Sequence, residues 1–380
     1  MSFERPAPTL ANRSAFYGQN KLIIGLFGAN CSSGRAVTLL ENRWSGGWAD
    51  SLRLATMADE IGIDFMLPIG RWKGYGGVTD YQGATLETFT WASGLLASTK
   101  RITVFGTIHA PLYNPIMAAK MCVTADHIGE GRFGLNMVCG WNEGEFEMFG
   151  VTQRDHERRY EYAQEWMNVV TRAWSPEGEF DFSGTHLNLR GVRAKPKPWG
   201  GERPVIMNAG ASANGRAFAI RNCDAFFTTA SRESVAETQA KVGEIKAEAR
   251  SLGRELEVYT VGVVTCRPSM KEAQDYYRHA SVERADWSAV DCIMAIKGLT
   301  PESMGQEAFE KRRAQYANGM GGVPIVGDPD HVAGELAKLN ESGLRGIALS
   351  MVNYAEELPY FAEEVLPRLE KRGIRVPVKG

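Results

Sequence analysis

The feature that most constrains the fold of this chain is an alternation, repeated eight times, between a short apolar segment and a longer segment with the period of an amphipathic helix. The eight apolar segments are Leu22–Ala29, Phe65–Gly70, Ile102–Ala110, Arg132–Gly140, Pro204–Gly210, Asp224–Ala230, Leu256–Cys266 and Gly346–Asn353. Apolar strands that alternate with amphipathic helices indicate a parallel sheet covered by helices. Eight such units in 380 residues favour a closed (β/α)8 TIM barrel over an open, doubly wound sheet.

Two segments interrupt this alternation, one after the fourth unit and one after the seventh strand. The first, Phe180–Pro204, contains the stretch FDFSGTHLNLRG, which predicts a β-hairpin. The second, Ser281–Gly327, is long enough to form a lid and ends in the glycine-rich stretch Tyr316–Gly327. We therefore expect an N-terminal arm over residues 1–20 and a single barrel domain over residues 21–380, with a lid-like insertion at about 281–327.

Composition excludes several classes of function. The formal net charge is −2, so nothing favours binding to nucleic acid or to a membrane surface. The sequence has no apolar run of membrane-spanning length and no secretory signal pattern at its start, which predicts a cytoplasmic protein. The six cysteines are scattered and form no CxxC pair, which indicates reduced thiols rather than a disulfide framework.

The stretch Gly131–Phe146 (GRFGLNMVCGWNEGEF) begins as a buried strand and ends in amide, thiol, indole and carboxylate groups. In a (β/α)8 barrel, ligands bind at the carboxyl ends of the strands. This stretch therefore predicts that Asn136, Cys139, Trp141 and Glu145 lie at the rim where a ligand binds.

The other strand ends also carry mainly amide, hydroxyl and glycine residues, together with Trp72. No histidine spacing suits a metal site, no serine lies in a GxSxG elbow, and Lys73 is the single lysine close to a strand end. We therefore expect no metal, and we expect a rim that binds a large, flat, uncharged ring belonging to an organic cofactor.

Two further segments suggest that this cofactor carries a phosphate. Arg158, Arg159 and Tyr160 lie at the start of a predicted helix, and the stretch NAGASANG ends the fifth strand and opens a helix at Gly210 and Ser212. Free amides and the dipole at a helix N-terminus favour an anion. A solvated helix face and an ordinary helix cap are the alternative interpretations of these two segments.

Several stretches of the chain resemble one known family, and the resemblance extends from about Lys21 to Arg372. The stretches that carry it are PIGRWKGYGG (Pro68–Gly77), TADHIGEGRFGLNMVCGWNEGEF (Thr124–Phe146), HERRY (His156–Tyr160), NAGAS (Asn208–Ser212) and VGDPDHVAGEL (Val326–Leu336). They are similar to the bacterial luciferase-like superfamily of flavin-dependent monooxygenases, which use a (β/α)8 barrel. Within it, the chain most resembles the branch of the pyrimidine, dimethyl sulfone and alkanesulfonate monooxygenases.

The resemblance implies an FMN site, and the strand-end analysis adds Gly210 to it. The resulting cofactor-binding candidates are Gly70, Arg71, Asn136, Glu145, Arg159, Tyr160, Gly210 and Ser212, of which Arg159, Tyr160 and Ser212 would hold the phosphate. Thr107 and Asn136 match the pair that lies beside the flavin N5 in the pyrimidine enzyme, and Trp141 would form the substrate side. Thr107, Asn136, Trp141 and His109 are therefore the catalytic candidates.

Structural alternatives stand beside these roles. Asn136 could satisfy strand-end carbonyls, Trp141 could pack at the rim, and Glu145 could be a carboxylate favoured by a helix start. Cys139 fits a small apolar filler better than a nucleophile. His109 fits a pocket base and a structural donor equally well, so the acid/base residue stays open.

The reaction that the resemblance implies is that of a two-component monooxygenase. FMNH2 comes from a separate NAD(P)H:flavin reductase and reacts with O2 to give a flavin peroxide, at N5 or C4a. The peroxide cleaves a C–N or C–S bond of a small N-heterocycle, such as a pyrimidine or flavin-like ring, or of a sulfone or sulfonate. Because a charged sulfonate would need several rim arginines and Arg71 is the one clearly placed, we expect a neutral substrate.

Two rival functions use the same barrel. One is a reductase or dehydrogenase that passes hydride through a flavin or deazaflavin, and the other is a flavin-binding protein without catalysis. The chain has no GxGxxG after a predicted strand, so a nicotinamide site within it is unsupported. The resemblance also implies a homo-oligomer, a dimer or a tetramer.

Overall fold

The computed structural model describes residues 15–153, 155–231 and 234–378. Its β-strands are β1 (Ile23–Phe27), β2 (Phe65–Leu67), β3 (Thr103–His109), β4 (Phe133–Val138), β5 (Phe180–Ser183), β6 (Asn188–Val192), β7 (Val205–Asn208), β8 (Ala225–Phe227), β9 (Glu257–Cys266), β10 (Val323–Gly327) and β11 (Gly346–Ser350). Each predicted apolar segment contains one of the eight barrel strands.

The helices follow the strands as predicted. They are α1 (Trp48–Glu60), α2 (Thr88–Ser98), α3 (Pro115–Ile128), α4 (Glu143–Met148), α5 (His156–Trp174), α6 (Ala213–Asn222), α7 (Val235–Ser251), α8 (Met270–Arg278), α9 (Trp287–Ile296), α10 (Pro301–Met304), α11 (Gln306–Ala317), α12 (Pro329–Glu341), α13 (Tyr354–Glu364) and α14 (Leu366–Lys371).

The eight barrel strands are parallel and form a closed sheet. In the series β1, β2, β3, β4, β7 and β8 each strand pairs with the one that follows it, and β11 pairs with β1. The strand β9 closes the ring, because it pairs with β8 through Glu257–Tyr259 and with β11 through Tyr259–Val263. The predicted (β/α)8 TIM barrel is therefore confirmed.

Aromatic residues close the amino-terminal end of the barrel. Phe16, from a short 3-10 helix at Ala15–Tyr17, stacks on Tyr259 with ring centroids 5.0 Å apart. Its ring also contacts Phe65 and Phe105 edge-on. Ligands can therefore enter this barrel from the opposite end, where the carboxyl ends of the strands lie.

The helices bury one face against this barrel. In α5 the buried residues Ala163, Trp166 and Val170 recur at intervals of three and four, and the Trp166 side chain is fully buried. The start of α3 follows the sequence expectation, because Pro115 occupies its first position and Asn114 Oδ1 accepts a hydrogen bond of 2.9 Å from Ile116 N.

The first insertion forms the predicted hairpin, in which β5 and β6 pair antiparallel. The second insertion contains a π-helical turn (His279–Glu283), three helices (α9–α11) and the strand β10. This strand was not predicted, because the glycine-rich stretch Tyr316–Gly327 was assigned to the lid-like insertion. It pairs in parallel with the end of β9 from Gly262 to Cys266, so the segment after the lid-like helices extends the barrel wall.

The lid-like helices are fixed by their own apolar cluster, which packs α9 against the loops after β1 and β2. Asp286, the N-cap of α9, reinforces this contact. Its carboxylate accepts hydrogen bonds from Thr79 N and Thr79 Oγ1, both at 2.8 Å, and from Val78 N at 3.3 Å. The insertion is therefore held over the carboxyl ends of the strands.

No helix in the described ranges is both long enough and apolar enough to cross a lipid bilayer. The first fourteen residues of the predicted N-terminal arm lie outside these ranges.

Candidate active site

One cavity of about 500 Å³ lies at the carboxyl ends of the strands. It is lined by ten of the eleven predicted site residues, which come from four strand ends and from the starts of α5 and α6. These residues are Gly70, Arg71, Thr107, His109, Asn136, Trp141, Arg159, Tyr160, Gly210 and Ser212. The eleventh, Glu145, lies behind the cavity wall and contacts Arg71.

Thr107 and Asn136 face each other as register partners on β3 and β4. Asn136 Nδ2 donates to Thr107 Oγ1 at 3.1 Å, and Thr107 Oγ1 in turn donates to Pro68 O at 2.7 Å. The hydroxyl proton of Thr107 is therefore used in the hydrogen bond to Pro68 O. The second amide proton and the carbonyl oxygen of Asn136 are available to a ligand. Both side chains are nearly fully buried, so a ligand hydrogen bond here forms away from bulk water.

Gly70 brings the backbone after β2 close to this pair. A Cβ atom at this position would lie 2.9 Å from Thr107 Cγ2 and 3.3 Å from His109 Nε2. A larger residue would therefore displace the side chains that line the cavity.

A buried ion pair lies beside Gly70. Arg71 Nη1 donates to Glu145 Oε1 at 2.8 Å, and the same oxygen accepts from Trp72 N at 2.9 Å. The Glu145 side chain is fully buried, and that of Arg71 is 6% exposed. Glu145 thus fixes the loop after β2 and balances the charge of Arg71.

His109 Nδ1 lies 3.6 Å from Glu145 Oε2, slightly beyond hydrogen-bond distance. Burial lowers the pKa of His109 to about 4, a larger effect than the opposing attraction of Glu145, while Arg71 lowers it further. The imidazole is therefore neutral at neutral pH, and it can donate or accept a hydrogen bond but carries no charge.

Aromatic rings and cations alternate at one side of the cavity, where Arg71, Trp141 and Lys297 line it and Tyr75 lies behind them. The Tyr75 and Trp141 rings stack with centroids 6.5 Å apart. The Arg71 guanidinium carbon lies 4.5 Å from the Tyr75 centroid and 5.4 Å from that of Trp141, and Lys297 Nζ lies 4.1 Å from the Trp141 centroid. These distances fit cation–π contacts.

The other end of the cavity provides donors for an anion. Arg159 Nη1 donates to Gly140 O at 2.7 Å, and its Nε is buried without a hydrogen-bond partner. The Tyr160 hydroxyl and the Ser212 side chain share a hydrogen bond, and burial raises the pKa of Tyr160, so the phenol stays protonated. Ser212 also caps α6 by accepting from Gly215 N at 3.1 Å.

A cofactor with a ring and a phosphate fits this arrangement. The volume falls within the range of small-molecule and cofactor sites. The unpartnered Arg159 Nε and the N-terminus of α6 are suitable donors for a phosphate. Gly210 keeps this corner open, because a Cβ atom there would lie 2.8 Å from the Tyr160 hydroxyl.

Among the cavity residues that were not assigned as site residues from the sequence, three shape the site most clearly. Asn208 orients the turn before α6, since its Nδ2 donates to Met137 O at 2.6 Å and its Oδ1 accepts from Gly210 N at 2.8 Å. Phe27 contributes the end of β1 to the lining. Lys297, at the end of α9, lies in the insertion, where no motif marks it.

Cys139 also lines the cavity, but burial raises the pKa of its thiol to about 12. A thiol at this pKa is protonated and a poor nucleophile, in keeping with its interpretation as an apolar filler. Within the described residues, no three or more His, Cys, Asp or Glu side chains are grouped to hold a metal ion.

A second cavity of about 270 Å³ adjoins the first and shares Ala209 and Ala211 with it. It extends from the end of β8 to the glycine-rich turn before β10, where Arg35 Nη2 donates to Gly319 O at 2.7 Å. The two cavities give the site more room than the first one alone.

Known proteins resemble this chain over nearly its whole length. A dimethylsulfone monooxygenase described as FMNH(2)-dependent, from Pseudomonas fluorescens, is 30% identical over 346 residues, covering 89% of this chain and 92% of the relative. The pyrimidine monooxygenase RutA of Acinetobacter baylyi is 28% identical over 328 residues, covering 84% and 87%. The crystal structure of DmoA from Hyphomicrobium sulfonivorans superposes with a TM-score of 0.84 at 19% identity, covering 95% of this chain and 90% of that one, and it supports the fold.

The family described as luciferase-like monooxygenase matches residues 27–346. This match spans the barrel from β1 to the start of β11, including the strand ends that form the cavity. The chain therefore belongs to the luciferase-like monooxygenase family.

Proposed function

We propose that this protein is an FMNH2- and O2-dependent monooxygenase that cleaves a C–N or C–S bond of a small organic substrate. The observation that carries the proposal is that a single cavity is lined at one end by Thr107 and Asn136 and at the other by Arg159, Tyr160 and Ser212. Such a cavity suits a cofactor with a flat ring and a phosphate tail.

The phosphate would be held by Arg159, Tyr160 and Ser212 at the start of α6. Arg159 supplies a charged donor, and Tyr160 supplies a protonated phenol. The glycine backbones at Gly70 and Gly210 would let the cofactor approach closely. Bound reduced FMN would supply the electrons that activate O2.

Thr107 and Asn136 would orient the reacting groups. The hydrogen bond from Thr107 to Pro68 fixes the hydroxyl, and the bond from Asn136 fixes the amide plane. A polar group of the ligand then meets preorganised partners in a water-poor site, where such hydrogen bonds are most effective.

His109 would act as a neutral hydrogen-bonding group, because burial keeps its pKa near 4. Glu145 would act through Arg71, by holding the guanidinium against the Tyr75 ring. Trp141 would form the wall of the substrate space.

The insertion would exclude water from the reaction. Its helix α9 is held by Asp286 and by the apolar cluster beneath it. Exclusion of water suppresses side reactions such as the release of H2O2. We further propose that a separate NAD(P)H:flavin reductase supplies the reduced flavin and that the protein is a homo-oligomer.

The test is turnover with reduced FMN under ¹⁸O2 on a panel of pyrimidines, flavins, sulfones and sulfonates. We expect one ¹⁸O atom in a cleaved product, detected by mass spectrometry, and we expect this product only when protein, reduced FMN and O2 are all present. Hydride transfer without oxygen would instead support a reductase. FMN binding without any turnover would support a flavin-binding protein.

A further inference from the structure

We propose that the substrate carries a compact anionic group, a carboxylate or a sulfonate, and that Lys297 is the residue that selects it. This inference rests on the proposed function, because it concerns the substrate of the same cavity. It reverses the expectation of a neutral substrate, which was based on strand-end arginines alone and could not include a cation from the insertion.

Lys297 reaches the cavity from above the barrel. It follows Ile296, the last residue of α9, and lines the cavity together with Trp141. Its Nζ lies 4.1 Å from the centroid of the Trp141 ring, which is the predicted wall of the substrate space. The ammonium group is thus close to where a substrate would lie.

The cationic side chains around the cavity differ in whether an opposite charge balances them. Arg71 has a carboxylate partner in Glu145, and Arg159 donates to the Gly140 carbonyl beside the proposed phosphate corner. Among the described residues, the charged groups that act on Lys297 are Arg71 and Arg35, and neither is a carboxylate. Of the cations that line the first cavity, Lys297 is therefore the one whose charge is balanced neither by a protein carboxylate nor by the proposed phosphate. Arg35 lines the adjoining cavity, where it donates to the Gly319 carbonyl.

An unbalanced cation in this position is unfavourable unless a ligand compensates it. Burial lowers the pKa of Lys297 to about 8, and repulsion from Arg71 and Arg35 contributes to the shift. The ammonium form still predominates at neutral pH. An anion bound beside it would offset the cost of burying the charge.

The apolar and hydrogen-bonding contacts of α9 hold the helix without Lys297. Ala289, Val290, Ile293 and Met294 are buried in the cluster under the insertion, and Asp286 bonds to the loop after β2. The ammonium group has no part in these contacts. A cation on a rigid helix suits the selection of a ligand, since its position is fixed before the ligand binds.

The test compares the binding of two pairs of probes that differ chiefly in charge. Methanesulfonate and dimethyl sulfone form one pair, and uracil-6-carboxylate and 6-methyluracil form the other. Dissociation constants are measured anaerobically on the full chain with reduced FMN bound, so that no turnover is needed. We expect the anion of at least one pair to bind about tenfold more tightly than its neutral partner near neutral pH.

Lys297→Met should abolish this preference by weakening the binding of the anions far more than that of the neutral probes, whereas Lys297→Arg should keep it. The preference should also decline in the wild type as the pH rises through about 8. Arg312→Met is the matched control, because it removes a charge from the exposed face of α11 in the same insertion.

Three results would overturn the inference: no anion preference in the wild-type protein, an unchanged preference in Lys297→Met, or a loss of FMNH2 affinity in that variant equal to its loss of anion affinity. The last result would make Lys297 a counter-charge for the flavin. Failure of the proposed function is distinguishable, because it would abolish ¹⁸O incorporation while the anion preference and its dependence on Lys297 persisted.

Discussion

The Asn136 amide donates to the Thr107 hydroxyl across adjacent strands, with Nδ2 and Oγ1 3.1 Å apart. Thr107→Val keeps the shape of the side chain but removes this acceptor and the donor to Pro68. We expect product formation to fall about 100-fold, the usual loss when one preorganised polar partner is removed from a reaction site. The measurement is single-turnover product yield, with FMNH2 affinity determined in parallel.

Thr107→Ser should restore most of the yield, because it returns the hydroxyl. Thr56→Val, on the exposed face of α1, is the control. Wild-type product yield in Thr107→Val would show that the hydroxyl has no role.

The strand ends could be predicted from the sequence because parallel strands in a barrel present their carboxyl ends at one edge. Asn136 and Thr107 lie on different strands, and the register of β3 and β4 brings them together. Arg159 and Ser212 come from two helix starts. Both line the same cavity, because the helices that follow barrel strands begin at the edge where the strands end.

Other parts of the site depend on contacts that no local pattern specifies. Glu145 follows a strand end in the sequence, yet its carboxylate turns to Arg71 and away from the cavity surface. Lys297 reaches the site through the packing of a long insertion, whose path has no motif. The strand β10 was missed because the glycine-rich stretch Tyr316–Gly327 was assigned to the lid-like insertion. Its Pro324 is compatible with a strand because β10 lies at the edge of the sheet.

The proposed phosphate-binding end of the site predicts a difference between two flavins. Arg159→Ala should weaken binding of FMNH2 about 10- to 100-fold, as expected for a charge-assisted hydrogen bond. Binding of reduced lumiflavin, which has no phosphate, should change little. Both affinities are measured by anaerobic fluorescence titration.

The neighbouring Arg158 provides a matched control for this experiment, because its side chain is 71% exposed and lies near Asp155. Arg158→Ala should leave both affinities unchanged. Equal losses for FMNH2 and lumiflavin in Arg159→Ala would argue against a phosphate contact.

The buried pair of Glu145 and Arg71 predicts a loss of stability. Glu145→Gln keeps an acceptor for Trp72 N but leaves the guanidinium without a counter-charge. We expect the free energy of unfolding to fall by about 3 kcal/mol, measured by denaturant titration. Because Arg71 is the group left unpaired, Glu145→Gln should lower the free energy of unfolding much less in an Arg71→Met background.

Glu147→Gln is the control, since Glu147 lies exposed on the same short helix. A similar loss in both variants would assign the effect to α4 rather than to the ion pair.

His109 predicts a pH dependence of stability. Its pKa is about 4 in the folded protein and near 6.5 when unfolded, so the unfolded state binds the extra proton between these values. The contribution of His109 to the free energy of unfolding should therefore be constant above about pH 6.5. It should decrease by about 3 kcal/mol as the pH falls to about 4. Glu145 and Arg71 face the imidazole and are retained in this experiment.

His109→Asn should remove this loss of stability on acidification, whatever the effect of the substitution on stability at neutral pH. The exposed His331 serves as the control, and His331→Asn should keep the wild-type slope. An unchanged slope in His109→Asn would show that other groups cause the acid instability.

The contact of Asp286 with the loop after β2 predicts a role in coupling oxygen consumption to product formation. Burial alone would raise the pKa of this carboxyl group, but hydrogen bonds from Ser288, Thr79 and Ala289 outweigh it and hold the pKa below its usual value. The ionised carboxylate is thus the form that fixes α9.

Asp286→Ala removes these bonds and should let water reach the cavity, so that a larger share of the consumed O2 appears as H2O2 and product yield falls in proportion. Asp291→Ala is the control, because it breaks a half-exposed ion pair with Arg313 within the same insertion and such pairs contribute little. The ratio of H2O2 to product, measured in both variants, decides the question: an unchanged ratio in Asp286→Ala would mean that the insertion does not keep water out.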